Sequence, residues 1–173
     1  MKKFILLITI LSVISISNDY KNKDVEIPSE AIRFRVIANS NTKEDQELKI
    51  KVKENLEKEL EKSLKNKRNI NESRLVLKKN IPEFQKNIEN TLKEENSKQK
   101  YTINYGLNYF PEKEYKKVKY KEGSYESLVV TLGSGEGENF WCVLFPPLCK
   151  LENENNKKVE YRILIKEILD KYK

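Results

Sequence analysis

Apolar residues recur along this chain in two rhythms. In Ile32-Arg33-Phe34-Arg35-Val36 they alternate with two arginines, the period-two pattern of a strand with one buried face, and Arg33 and Arg35 point away from that face. Asn39, Ser40 and Asn41 end the strand. Thr42 stands three residues before Asp45, a capping-box-like start in which hydroxyl and carboxylate satisfy early amide groups of a helix. Leu48, Val52, Leu56, Leu60 and Leu64 then follow at four-residue steps, and Asp45-Lys49, Glu47-Lys51, Glu54-Lys58 and Glu61-Lys65 place acid before base at i,i+4. A second helical stretch from about Asn71 carries Leu77, Ile81, Phe84, Ile88 and Leu92 on one side. Pro82 lies inside it and cannot donate to the carbonyl four residues back, so a kink is expected, or a restart capped by Asn80.

The rhythm changes at Tyr101. Tyr101, Ile103, Tyr105, Leu107 and Tyr109 alternate with Thr102, Asn104, Gly106 and Asn108, which reads as a half-buried strand ending at Phe110-Pro111. A lysine-bearing segment from Tyr115 to Lys121 reads as a protected edge strand, Gly123-Ser124 as a turn, and Tyr125 to Leu132 as the returning strand. Gly133-Ser134-Gly135-Glu136-Gly137 lacks the Lys-Ser/Thr pair of a phosphate cradle and reads as a flexible hairpin loop. Phe140 to Cys149 holds the only Trp and no charge; a buried strand ending at Pro146-Pro147 competes with an exposed partner-binding edge. Leu164, Ile165, Ile168, Leu169 and Tyr172 close the chain at helical spacing. The resulting fold class is α+β: a mainly antiparallel sheet, two long amphipathic helices after the first strand, and a C-terminal helix.

The N-terminus follows another logic. Lys2 and Lys3 precede an apolar run from Phe4 to Ile16 that ends in Ser15-Ile16-Ser17, which reads as a secretory signal peptide over residues 1–17, with an uncleaved anchor as the alternative. Polar residues 18–29 read as a flexible linker, and residues 30–173 as one domain.

Composition narrows the chemistry. The 173 residues include no His, which removes Ser-His-Asp and Cys-His catalysis and every His-ligated metal site. Two Cys are too few for a thiolate zinc site, and no cofactor motif is present. The net charge is +7; removing Lys2 and Lys3 with the leader leaves 32 basic and 27 acidic residues, a net +5 spread along the chain, which speaks against nucleic acid. Cys142 and Cys149 would lie ~23 Å apart in an extended chain. Pro146-Pro147 can turn the chain back, so a disulfide and two separate thiols both stay open. An exported hydrolase using a Ser-Lys pair or two carboxylates, and a cell-wall or anionic-polymer binding module, remain alternatives to a signalling protein.

Several strings together carry a resemblance. They are Ile32 to Ser40 with Asp45, Gln46 and Lys49, then Phe110-Pro111, Gly123-x-Tyr125-Glu126, the glycine loop, and above all Asn139-Phe140-Trp141-Cys142-Val143-Leu144-Phe145-Pro146-Pro147-Leu148-Cys149. From Ile32 to Cys149 the chain resembles the stage II sporulation protein R family of endospore-forming bacteria. It departs from the family pattern at Ser127 for alanine, Val129 for arginine, Glu138 for histidine and Phe140 for tryptophan. The resemblance implies a signalling protein and not an enzyme. By that resemblance it is expected to be exported from the forespore into the space between the two membranes and there to activate a membrane-embedded aspartic protease that cleaves the precursor of sigma factor E. Candidate partner-binding or family-motif residues are Arg33, Arg35, Asp45, Gln46, Tyr125, Asn139, Phe140 and Trp141. Capping and core packing are their plainer roles.

Overall fold

A computed structural model describes residues 25–115, 118–149 and 158–172. The leader and linker residues 18–24 lie outside the described residues. The elements are β1 (Val25–Glu26), β2 (Ile32–Ile37), α1 (Lys43–Leu64), α2 (Ile70–Lys79), α3 (Ile81–Glu94), β3 (Tyr101–Phe110), β4 (Lys113–Tyr115), β5 (Val118–Tyr120), β6 (Gly123–Leu132), β7 (Asn139–Phe145) and α4 (Lys158–Lys171).

Four strands form the main sheet in the order β3-β6-β2-β7. β3 pairs with β6 and β7 with β2 antiparallel, while β2 runs parallel to β6, so the sheet is mixed though mostly antiparallel. Period two then divides its residues. Ile32, Phe34 and Val36 with Leu128, Val130, Leu132 and Cys142 face α1 to α3, whose Leu48, Val52, Leu56, Leu60, Leu77, Phe84 and Ile88 complete the first core. Truncating a fully buried ring such as Phe34 in this layer costs about 3–5 kcal/mol.

Pro82 acts as a start signal. The helix expected from Asn71 onward breaks at Asn80, giving three helices in this layer and not two. Proline near the first position of α3 costs no hydrogen bond, because those amides have no partner inside a helix. Asn80 occupies the cap position without a side-chain bond to the helix.

The segment expected as one edge strand, Tyr115 to Lys121, is instead two arms. β4 and β5 pair with each other, and β5 pairs with β1, in a separate three-stranded sheet. Val118 and Tyr120 bury there with Ile27, Ala31, Val143, Leu148, Ile165 and Leu169, a second core that includes α4. Residues 25–29, placed by sequence in the linker, are therefore built into the fold: β1 is a strand and Ile27 is buried. Val143 belongs to the face of the main sheet opposite α1–α3, so the second core covers part of that face.

The glycine loop is also more fixed than a hairpin loop. Because β6 and β7 flank β2, residues 133–138 must cross over the end of β2. The Gly137 amide donates to Ala38 O (2.9 Å) and the Glu136 amide to Asn39 O (3.1 Å). Among the described residues no helix is long and apolar enough to cross a membrane.

Candidate functional site

The motif residues separate into two clusters. At the C-terminal end of β2, Asn39 accepts from the Ser134 amide (2.9 Å) and donates through Nδ2 to Asp45 (2.9 Å). Ser40 Oγ donates to Asp45 Oδ2 (2.5 Å), and the Gln99 side-chain amide also donates to Asp45. These bonds, those of Ser40 and Asn39 foremost, hold the Asp45 carboxyl below the usual carboxylate range. Gln46 Nε2 donates to Ser40 O (2.9 Å), Asn41 Oδ1 accepts from the Glu138 amide (2.7 Å), and Lys49 Nζ donates to Gln46 and to Glu138 O (3.1 Å).

Only half of the expected capping box forms. Thr42 Oγ1 accepts from the Asp45 amide, but the Asp45 carboxylate turns to Asn39, Ser40 and Gln99, and Lys49 turns to Gln46 rather than to Asp45. The Thr42 amide that a capping box would offer is already donated to Ser40 Oγ. Asp45 and Gln46 thus tie the end of β2, the start of α1 and the glycine loop into one buckle.

The second cluster lies on the sheet face turned away from α1–α3. Arg33 and Arg35 point there as the alternation predicts, yet that face is not open to water at Arg33, which is 2% exposed. Its guanidinium carbon lies 3.3 Å from the Tyr125 ring centroid, 5.3 Å from Phe110 and 5.9 Å from Tyr120. Arg35 sits 5.7 Å from Phe110 and 5.5 Å from Trp141, and Lys113 Nζ lies 4.8 Å from Trp141. Fully buried Phe110 stands at the centre, edge-to-face with Trp141 (5.2 Å) and Tyr125 (6.3 Å). Cation–π stacking of this kind contributes about 0.5–2 kcal/mol per pair.

Among the described residues, no carboxylate acts on either guanidinium group. Burial lowers the pKa of both guanidinium groups from the usual value; only Tyr125 and Tyr120 act to raise that of Arg33, and no charged neighbour does so for Arg35. All three guanidinium nitrogens of Arg33, Nε of Arg35 and Nε1 of Trp141 are buried without an acceptor. Arg35 Nη1 reaches one carbonyl, that of Tyr109, at 3.4 Å.

Arg33, Arg35, Tyr125 and Trp141 are therefore brought together, and Asp45 and Gln46 are placed apart from them. Phe140, one residue from Trp141, faces the helix layer, edge-to-face with Phe34 at 6.3 Å under Lys53 Nζ at 4.6 Å. Asn139 opens β7 with its Oδ1 buried and unbonded. Phe110, Tyr120 and Lys113 complete the cluster and were not singled out as site residues. Only Phe110 had a signal in the sequence, standing on the even-numbered face of β3.

The ten-residue apolar string ends in a disulfide: the Pro-Pro turn brings Cys142 and Cys149 to a Cα–Cα distance of 5.0 Å. Glu57 lies 4.0 Å from Cys142 Sγ, and its carboxylate with the two sulfurs falls within 4.8 Å. Bonded to each other, the sulfurs are not thiolate ligands. An open groove of about 1010 Å³ runs from α1 past Phe145, Pro147 and Tyr172. Its charged lining mixes Lys53, Lys58, Lys62, Lys65 and Lys67 with Glu54, Glu57 and Glu61, so both signs of charge face the groove.

A sequence model of the family described as stage II sporulation protein R matches residues 28–155. The chain is 38% identical over 140 residues to Stage II sporulation protein R of Bacillus subtilis (strain 168), an alignment covering 81% of this chain and 62% of that protein, so the chain spans less than two thirds of its relative's length. No solved structure matches it. The matched span contains both the buckle and the cation–aromatic face, and the chain belongs to the stage II sporulation protein R family.

Proposed function

We propose that this chain is an exported signal that acts by binding: it engages a membrane-embedded aspartic protease of the mother cell and switches it to cleave the precursor of sigma factor E. One observation carries the reading. Within the span matched to the family, the motif side chains are either tied into the fold, as Asp45 and Gln46 are, or arrayed as cations and aromatics on one sheet face, an arrangement suited to holding a partner. Arginine and tryptophan in desolvated settings are the residue types that dominate binding energy at interfaces.

Activation by binding is population shift. A domain that prefers the active conformation of its receptor moves it from 1:99 to 99:1 with ~10⁴-fold, or about 5.5 kcal/mol, of differential affinity. A few buried anchors supply that much. The apolar leader would carry the domain into the space between forespore and mother-cell membranes. Leu6→Arg with Leu7→Arg should then retain it in the forespore, since each charge costs ~2.5–3.5 kcal/mol of insertion.

The deciding experiment reconstitutes the mature domain with the candidate protease in liposomes and adds the sigma-factor precursor. Cleavage should require the protease and saturate when domain and protease are equimolar. Cleavage of the precursor by the domain alone would overturn the reading.

A further inference from the structure

On the sheet face opposite α1–α3, five N–H-bearing nitrogens from three side chains, Arg33, Arg35 and Trp141, are buried with no acceptor, and no carboxylate lies among the groups acting on either guanidinium. A buried guanidinium without a counter-charge is costly; stacking on rings and the nearby Tyr125 hydroxyl offset part of that cost, but no Arg33 N–H group has a partner at hydrogen-bond geometry. The charge is arranged in depth. Arg33 is buried, Arg35 and Trp141 are half-buried, and Lys113 is exposed. Arg35 and Trp141 are register partners on β2 and β7, so the guanidinium and indole donors stand side by side on one face.

We propose that this face is a receptor site for a carboxylate, the Asp or Glu side chain of an acidic segment in the protein partner. The inference names the partner chemistry for the binding role proposed above and rests on that reading. A carboxylate approaching at the exposed Lys113 end reaches the Arg35 fork and the Trp141 indole N–H once the side chains over them shift, because Arg35 Nε and Trp141 Nε1 are buried as well as unpartnered in the free domain. Charge-assisted bonds of this kind are the strong class of hydrogen bond, and planar guanidinium suits them better than ammonium. Arg33, sealed behind Phe110 and Tyr125, adds positive potential in a low-dielectric setting where water screens it poorly. The apolar rings exclude water and give shape; the unpaired charges give sign.

The only tryptophan reports on the site. The probe is an N-acetylated, C-amidated hexaglutamate peptide, with hexalysine and inorganic phosphate as controls, titrated into the mature domain while Trp141 emission is followed. Hexaglutamate should change the emission saturably, hexalysine should not, and phosphate should act at least tenfold more weakly. Arg35→Gln and Arg33→Met should each weaken the response tenfold or more. Arg33→Met should melt at or above the wild-type temperature, because it removes an unpaired buried charge; Arg35→Gln keeps the test intact if Arg33→Met does not fold. A wild-type domain blind to hexaglutamate, or variants that bind it as wild type does, would overturn the site. If the variants lose peptide binding yet activate the reconstituted protease normally, the carboxylate is not the partner's and the inference falls while the signalling role stands. If the wild-type domain binds the peptide but never activates the protease, it is the signalling role that fails.

Discussion

A Cβ built on Gly137 would lie 2.3 Å from the carbonyl oxygen of Ser40 and 2.8 Å from the Ala38 side chain. The contact is a consequence of topology. The chain leaving β6 must pass over the end of β2 to reach β7, and it does so in backbone-to-backbone contact, with the Gly137 amide on Ala38 O. Backbone cannot swing aside as a long side chain can. Gly137→Ala should therefore cost about 2–3 kcal/mol, within the range of overpacked sites, read as a lowered denaturation midpoint with an unchanged slope. An alanine variant as stable as wild type would mean that the crossing is looser than this geometry.

Asp45 gives the buckle a pH signature. Its folded pKa is depressed, first by Ser40 and then by Asn39, so its contribution is present above the ordinary carboxylate value of about 4 and is lost as pH falls through the lower folded value. Asp45→Asn should cost about 1 kcal/mol at neutral pH, the scale of one ordinary hydrogen bond, because asparagine can keep part of the set. The gap between wild type and variant should stay constant from pH 7 to pH 5 and close below about pH 4. Melting curves across that range test it. A gap that widens on acidification would contradict the assignment.

The Cys142–Cys149 bridge closes a short loop, with a sequence separation of 7. Loop-closure entropy for a ring of that size is about 2.5 kcal/mol at 25 °C. Cys142→Ser with Cys149→Ser, or thorough reduction of the wild type, should lower unfolding free energy by about that amount. The loss should fall on the β7–α4 region, since Leu148 in the second core lies within the loop. Hydrogen exchange at Val143 and Leu148 locates it.

Much of this architecture was legible along the chain, for identifiable reasons. Four-residue steps in α1 and strict alternation in β2 and β3 report a burial face directly, and Pro82 marks a helix break because its missing amide is tolerated only near a start. The parallel pairing of Arg33 with Ser127 left no local trace, since register between distant strands is settled by the packed whole. The segment from Tyr115 to Lys121 reads as one strand, while its pairing as two antiparallel arms, Tyr115 against Val118, depends on a turn that alternation does not report. The burial of Arg33 was the least visible feature. Its lid of Phe110, Tyr120 and Tyr125 comes from three later strands, and alternation says which way a side chain points but not what covers it.

Phe140 and Trp141 offer the sharpest test, because adjacent positions of one strand face opposite layers. Phe140 packs on Phe34 in the helix layer, whereas half-buried Trp141 packs on Phe110 in the cation face. Phe140→Ala removes a ring from the first core and should cost about 2–4 kcal/mol, somewhat below a fully buried aromatic because Phe140 is itself half-buried. Trp141→Phe keeps the edge-to-face contact and deletes one N–H that has no acceptor in the free domain. Its stability should stay within about 1 kcal/mol of wild type, since only imperfect ring shape is lost. In the reconstituted protease assay the order should reverse. Phe140→Ala, assayed below its melting temperature, should reach full activation at saturating domain, and Trp141→Phe should need about tenfold more domain to reach half-activation. Chemical denaturation and one activation titration per variant supply both measurements. Equal activation by Trp141→Phe and wild type would remove the indole N–H from the receptor contact.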